Sequence, residues 1–591
     1  MAASRQSMET AAVYLLLLGL PLAQSPTESD PFLPVRLIVL GVGLGLGLWA
    51  PASGRLPRSI VSGLAVAAVV FAIASLAGAT PLLSLLGRYP RYEGLPMVLG
   101  YALALVVGAR LLAPDAARLR AHAVNALVLA SITNASVALI QWATSPEARV
   151  TGLLGNSTTL ANVSLVALAV LVCQLSGWSW WRLAGAASAC ACLVLSASRG
   201  AVLGGMVAAL AVLVLRPLVA RRGRWWWGPM AAAGLLGAAW LAPGSRARLA
   251  GQTPFAESTV DGRLLLWQDS WRLIVDRPLV GVGPSRFVDS IGGYHTEIWA
   301  AQVGPYAPPD SPHNLVLQVL AGTGWLGLAA VVGLGVCVAR RLWLARPWDR
   351  WLLGAGVASI ALIASYLTSF TDPVSLTMLS VVLGGGIATP AARGRPVWLD
   401  VSRRLSAVVV VLVMSFLGGT ATVAEVRYSQ AIAAGGDPAG LMTVADIRPW
   451  DADLARRVGY TAARLAERGV VDPAGFVPRM QSTCERLPGS VECLQVVADL
   501  QDMSGRHGNA LATLARALEW DPTNLDTVLR QGIAHAGMGQ YDQAIAAFER
   551  AVALRPTAPE PWENLARVYD LDGRHPDAAT ARARAEELRR R

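Results

Sequence analysis

The sequence predicts an all-α chain, a polytopic membrane helical bundle of about 12–13 spans followed by an α-solenoid. Three observations carry that expectation. Apolar blocks of about 20 residues, the length that crosses a bilayer, recur as far as residue 424. Arginine runs separate them at alternate loops. Beyond residue 440 the composition turns to Ala, Leu, Arg, Asp and Glu at helical spacing, and Gly, Ala and Pro return every 34 positions.

Composition fixes the class. Of 591 residues 54% are hydrophobic and 15% charged, and the mean hydropathy is +0.46. Soluble domains carry about a quarter charged residues. The net charge is +11 and the chain has no Lys. Its arginines sit in short runs between apolar blocks, with no basic stripe interleaved with aromatics, so no nucleic-acid partner is expected. Cys173, Cys190, Cys192 and Cys337 fall in apolar blocks and read as inert, whereas Cys484 and Cys493 lie in the tail.

Taken in order, the blocks fall near 8–23, 34–50, 58–79, 95–113, 122–143, 157–177, 181–198, 200–218, 225–243, 313–339, 351–371, 374–390 and 405–424. The first is short enough to be a signal peptide ending near Ala23 instead. Arginines mark the cytoplasmic loops: Arg55 and Arg58; Arg110, Arg118 and Arg120; Arg216, Arg221, Arg222 and Arg224; Arg340, Arg341, Arg346 and Arg350; Arg393, Arg395, Arg403 and Arg404. By parity the 24–33, 80–94, 144–156, 244–312 and 372–373 loops, and everything after 424, lie outside. The expected division is therefore a membrane domain, 1–430, with a large extracytoplasmic loop at 244–312, and an extracytoplasmic repeat domain, 440–591.

In the tail Gly505, Gly539 and Gly573 share the 34-residue step, as do Ala510, Ala544 and Ala578, and Pro522 and Pro556. Gly at the turn, small residues at the helix crossover and Pro after the second helix resemble tetratricopeptide repeats. Units before residue 490 are degenerate. Such arrays bind peptides or protein partners and bring no chemistry of their own. If the tail is extracytoplasmic, Cys484 and Cys493 are free to pair.

Chemistry belongs to the outward segments. GRYPRYEGL supplies Arg88, Arg91 and Glu93; SASRG places Arg199 in a very short loop; DGRLLLWQDSW carries Arg263. In the last, Asp261 or Thr259 is positioned to cap a helix, whose spacing puts Arg263, Trp267 and either Ser270 or Trp271 on one face. Arg suits a phosphate or pyrophosphate because its planar fork bonds bidentately and stays charged. A single Arg serves equally as an interface anchor or a cap. His313 follows Ser311-Pro312 and opens a span, where the helix dipole would keep its imidazole neutral, fit to act as a base toward a hydroxyl or to be structural. Asp372 in TSFTDP could orient it, or be a plain turn residue. The outward carboxylates show no paired-acid motif and no His cluster of ligand spacing, so no metal and no cofactor are expected. Asp451-Ala452-Asp453 reads as a solvated helix face, and the 288–310 loop offers no decodable motif.

With these residues on the page, the chain resembles the O-antigen ligase family of bacterial envelope proteins. The likeness rests on RYEGL before the fourth span, RVTGLLGNSTTLAN at 149–162 and SASRG ending at Gly200. It continues through GRLLLWQDSWRLIVDRPLVGVGPSRF at 262–287, SPHN at 311–314 and GTGWLG. The ordered set covers about 85–390, and trailing tetratricopeptide arrays occur in that family. The resemblance implies a metal-independent, inverting transfer of a glycan from undecaprenyl pyrophosphate to an acceptor hydroxyl outside the bacterial cytoplasmic membrane. Arg199 and Arg263 would hold the pyrophosphate and His313 would take or position the acceptor proton. Arg88, Arg91, Arg286, Asn314 and Asp372 would contact substrate. The acceptor (glycan, lipid or protein) and a protein partner for the repeats stay open, as do the alternatives of a polysaccharide polymerase, a lipid-linked glycan flippase and an inactive assembly protein.

Overall fold

The computed structural model describes residues 2–25, 33–51, 54–88, 91–146, 148–175, 179–215, 234, 237–249, 256–303, 309–390 and 397–590. Arg216, Arg221, Arg222, Arg224, Arg393 and Arg395, and most of the 225–243 block, lie outside them. The described chain is all-α apart from one two-residue pairing of Gly54–Arg55 with Thr389–Pro390.

Among the described residues five helices are long and apolar enough to cross a membrane: Arg58–Ala77, Ala117–Thr144, Ser157–Gln174, Leu315–Leu344 and Val401–Ala433. Seven shorter apolar helices stand beside them. The N-terminal helix packs into the bundle core through Ala12, Val13, Leu16, Leu17 and Leu20. Small residues let neighbouring backbones approach closely, as membrane bundles require. A Cβ at Gly108 would lie 2.0 Å from the Val381 carbonyl and one at Gly384 2.1 Å from that of Leu105, so Leu95–Leu111 and Pro373–Ile387 lock together.

The bundle has two chemically distinct ends. At one, arginines tie down helix ends. Arg110 donates to the Gly47, Leu48 and Ala50 carbonyls, Arg341 to those of Ile387 and Ala388, and Arg403 to Ala50; Arg120 pairs with Asp349 at 2.7 Å. The other end gathers the described residues of the 80–94, 144–156 and 367–372 loops and of the 256–314 segment. The helix carrying Arg263 runs Ala256–Asp276, starting ahead of Thr259 and Asp261, so neither is its N-cap; Asp261 sits exposed within it.

The tail is a stack of helix pairs. Val491–Met503 with His507–Trp520, Leu525–Gly537 with Tyr541–Leu554, and Pro559–Leu571 with His575–Arg590 repeat one unit. Gly505, Gly539 and Gly573 make the turns at φ of +71, +70 and +77°, where a Cβ is strained. Ala510, Ala544 and Ala578 are fully buried at the crossovers. Cys484 and Cys493 form a disulfide linking Val477–Glu485 to Val491–Met503.

The tail packs against the end that gathers these loops. Part of 288–310, the loop with no decodable motif, joins this contact. Ala300 joins a core with Leu525 and Val528, and a Cβ at Gly292 would meet the Asp521 side chain at 3.0 Å. The Asp451-Ala452-Asp453 run is no solvated face. Both carboxylates are buried, Asp451 capping Ala452–Glu467 beside Arg448 and Asp453 gripping Arg88, because each meets a cation.

Candidate active site

The turn at 367–372 is the hub that joins the sequence motifs. Arg263 donates to the Thr368 carbonyl at 3.0 Å and Asn314 to that of Leu367 at 3.0 Å. Gly200, next to Arg199 at the start of Arg199–Leu215, packs so closely that a Cβ there would lie 2.5 Å from Thr368 Oγ1. The Arg91 guanidinium lies 4.4 Å from the centroid of the Phe370 ring, and the His313 ring packs against the same Phe370 at 5.7 Å. Thr371 donates to Glu93 at 2.9 Å. Arg263, His313, Asn314 and Arg91 are thus gathered around one six-residue turn, and the backbone beside Arg199 reaches it through Gly200.

Local sequence explains the positions. The Trp267 indole donates to the Pro312 carbonyl at 2.9 Å, so the face bearing Arg263 and Trp267 holds the SPHN turn. Ser270 shares that face in full burial, while Trp271 points out, half exposed. Asn314 caps Leu315–Leu344 through the Val316 and Leu317 amides. His313 just before it takes φ of +51°, a left-handed conformation that is uncommon outside Gly.

His313 is held near a pKa of about 4 by burial, then by Arg91 and Arg263, with Asp310 opposing. The imidazole is neutral, as the sequence predicts, but burial and two cations dominate where a helix dipole was expected. Arg91 reaches Asp310 at 2.7 Å and Ser311 Oγ at 3.0 Å.

Asp372 turns away from His313. Its buried carboxylate caps Pro373–Ile387 through the Ser375 amide and accepts from Asn162 and Tyr366, at 3.2 and 3.3 Å. Arg88 and Arg286 are drawn to the tail. Arg88 spans Asp289 at 2.6 Å and both oxygens of Asp453, and Arg286 donates to Thr80 and to the Pro488 carbonyl. Burial disfavours the Arg88 charge, and Asp289 and Asp453 overcome it, raising its pKa. These two arginines clamp the tail instead of converging on His313.

Beside the hub lies a cavity of about 320 Å³, within the size range of small-molecule sites. Arg91, Glu93, Ser311, Gln318 and Thr371 line its polar part, and Val70, Phe71, Val319 and Val331 its apolar part. Burial raises the Glu93 pKa, partly offset by Arg91, Thr371 and Tyr101. Sequence reading noted Glu93 only as a neighbour of Arg91 and missed Gln318, Thr371, Phe370 and Asn162. Asn162 bridges Asp372 and Ser365.

Residues 184–332 match the family model described as O-antigen ligase. The O-antigen ligase resemblance holds there. The ligase-matching segment contains Arg199, Arg263, Arg286, His313 and Asn314, and Phe370, Thr371 and Asp372 come to it from beyond its end. Residues 532–573 match a tetratricopeptide repeat model. Anaphase-promoting complex subunit 3 of Schizosaccharomyces pombe is 28% identical over 106 residues, 18% of this chain and 16% of that protein. An FK506-binding protein-like protein of Mus musculus is 33% identical over 98 residues, 16% and 28% of the two chains. This chain thus spans less than a third of either curated relative. Among solved structures, MamA 41-end from Desulfovibrio magneticus RS-1 is 19% identical with a TM-score of 0.25, covering 29% of this chain and 96% of that one. A thermophilic TPR protein in Thermus thermophilus is 24% identical with a TM-score of 0.23, covering 27% and 87%.

Proposed function

We propose that this membrane protein transfers a glycan from a polyprenyl pyrophosphate, in the envelope setting undecaprenyl pyrophosphate, to an acceptor hydroxyl at the outer face of the bacterial cytoplasmic membrane. The observation that carries the reading is the convergence of Arg263 and His313 on the 367–372 turn, with Gly200 packed against it beside Arg199, all within the ligase-matching segment. In this reading Arg199 and Arg263 hold the pyrophosphate and stabilise the charge that develops as the anomeric C–O bond breaks. His313, neutral near pH 7, accepts the hydrogen bond of the attacking hydroxyl and orients it; the hydroxyl oxygen bonds the anomeric carbon, its proton leaves by way of His313 to solvent, and the polyprenyl pyrophosphate departs as the anion. The Cys484–Cys493 disulfide supports a tail exposed to an oxidising compartment, and a thiol count on unreduced protein tests that side of the reading.

The decisive assay is transfer by the full-length protein in detergent with EDTA, using an undecaprenyl-pyrophosphate glycan and acceptor fractions from the host envelope. His313→Ala, Arg199→Ala and Arg263→Ala are compared with wild type. Activity that survives EDTA and falls about a hundredfold or more in folded variants, the scale of losing an oriented charge-stabilising group, supports the mechanism. A divalent-metal requirement, or full activity in all three variants, overturns it.

A further inference from the structure

We infer that Glu93, Gln318 and Thr371 form a sugar-hydroxyl-binding subsite in the cavity beside the 367–372 turn; the inference rests on the transferase reading for the identity of the sugar's carrier. The polar lining sets the acceptors Glu93 and Gln318 beside the donors Arg91 and Tyr101. Glu93 takes hydrogen bonds from Thr371 Oγ1 at 2.9 Å, Tyr101 at 3.2 Å and Gln318 Nε2 at 3.4 Å. Gln318 Nε2 also reaches Thr371 at 3.0 Å. The carboxylate fixes which way the amide points, since an amide oxygen turned toward Glu93 would face another acceptor. Gln318 Oε1 is thereby left buried with no hydrogen-bond partner among the described residues.

A buried carbonyl without a donor is costly, and both Gln318 and Glu93 line the cavity. A ligand filling the cavity donates to the lone pairs Glu93 retains, reaches Gln318 Oε1 once the amide swings toward the cavity, and buries carbon surface against Val70, Phe71, Val319 and Val331. A sugar ring bearing free hydroxyls does all three. Arg91 is directed at Asp310 and Ser311, which keeps its positive charge at the cavity edge beside the acceptor pair and suits a sugar whose neighbour is anionic. The sugar belongs either to the lipid-linked donor or to the acceptor glycan, and the two are separable by experiment.

The test measures binding by the full-length protein in lipid nanodiscs to three probes. These are undecaprenyl pyrophosphate, the same lipid carrying an N-acetylglucosamine oligosaccharide, and the free oligosaccharide. Wild type is compared with Glu93→Gln, nearly isosteric, and Gln318→Leu, each shown to be folded by its melting curve. For a donor sugar, wild type prefers the glycan-bearing lipid and each variant lowers that preference roughly ten- to hundredfold, the scale of a lost charge-assisted hydrogen bond. For an acceptor sugar, the variants weaken the free oligosaccharide and leave the lipid preference in place. Equal glycan affinities in wild type and both variants overturn the subsite while the transfer reading stands. Glu93-dependent oligosaccharide binding by a protein that holds neither lipid keeps the subsite and overturns the transfer reading.

Discussion

His313 occupies a backbone conformation that its neighbours must enforce, with φ of +51°. Asn tolerates the left-handed region and a β-branched residue does not. His313→Asn should therefore melt close to wild type, and His313→Val should lose about 1–3 kcal/mol; both should lose transfer. Equal melts for the two variants would remove strain from the account. The pH sign follows from a folded pKa of about 4 against 6.5 for a free imidazole. The unfolded chain binds a proton that the folded chain refuses, so wild type loses stability as pH falls from 6.5 toward 4, and His313→Asn lacks that loss. Transfer rates should show no His313 limb near pH 6.5. An imidazole resonance titrating at 6.5 would contradict the buried, doubly flanked position.

At the scale of elements, the site depends on a break in one helix. Leu315–Leu344 contains Gly324 at φ of +64° and ψ of −166°, and the Trp325 and Leu326 amides bond the Pro278 and Leu279 carbonyls. The RPLVGVG segment thereby docks into the helix at GTGWLG, which places the Arg263 helix against the SPHN turn. A Cβ at Gly324 would sit 2.3 Å from the Leu279 backbone. Gly324→Ala should thus cost at least the roughly 1–3 kcal/mol of a Gly-only conformation, read as a lower melting temperature with lost transfer. Trp267→Phe removes the indole donor to Pro312 and should lower kcat more than KM, since it loosens a turn rather than a binding group; an unchanged kcat would sever Trp267 from the site. The sequence showed both motifs, and the shared helix face of Arg263 and Trp267 was readable from their spacing alone. The docking of the two motifs was not, because two glycine-permitted backbone contacts join segments more than 40 residues apart. Phe370 and Thr371 escaped notice for a related reason: a turn residue's partners are set by tertiary contact, not by any period.

For the whole molecule, the repeats were legible because Gly, Ala and Pro recur at a fixed step, while their attachment was not, because an isolated buried carboxylate looks like a solvated one in sequence. Arg88 shows the consequence. A loop residue expected to meet substrate instead joins Asp289 and Asp453 and fastens the tail to the segment that carries the site. Asp453→Asn leaves a buried guanidinium with one carboxylate, and losing half of a buried charge pairing should cost about 3 kcal/mol. Much of that cost is the under-compensated charge rather than the missing contact. Adding Arg88→Met should therefore restore part of the stability, with Asp289 still 3.6 Å from Arg286. Unfolding of the full-length proteins in detergent measures both steps, and hydrogen exchange across 287–303 locates them: protection there should fall in Asp453→Asn. If exchange in 287–303 is unchanged while stability drops, the clamp does not hold the site segment, and the tail is an independent module that happens to share a face with it.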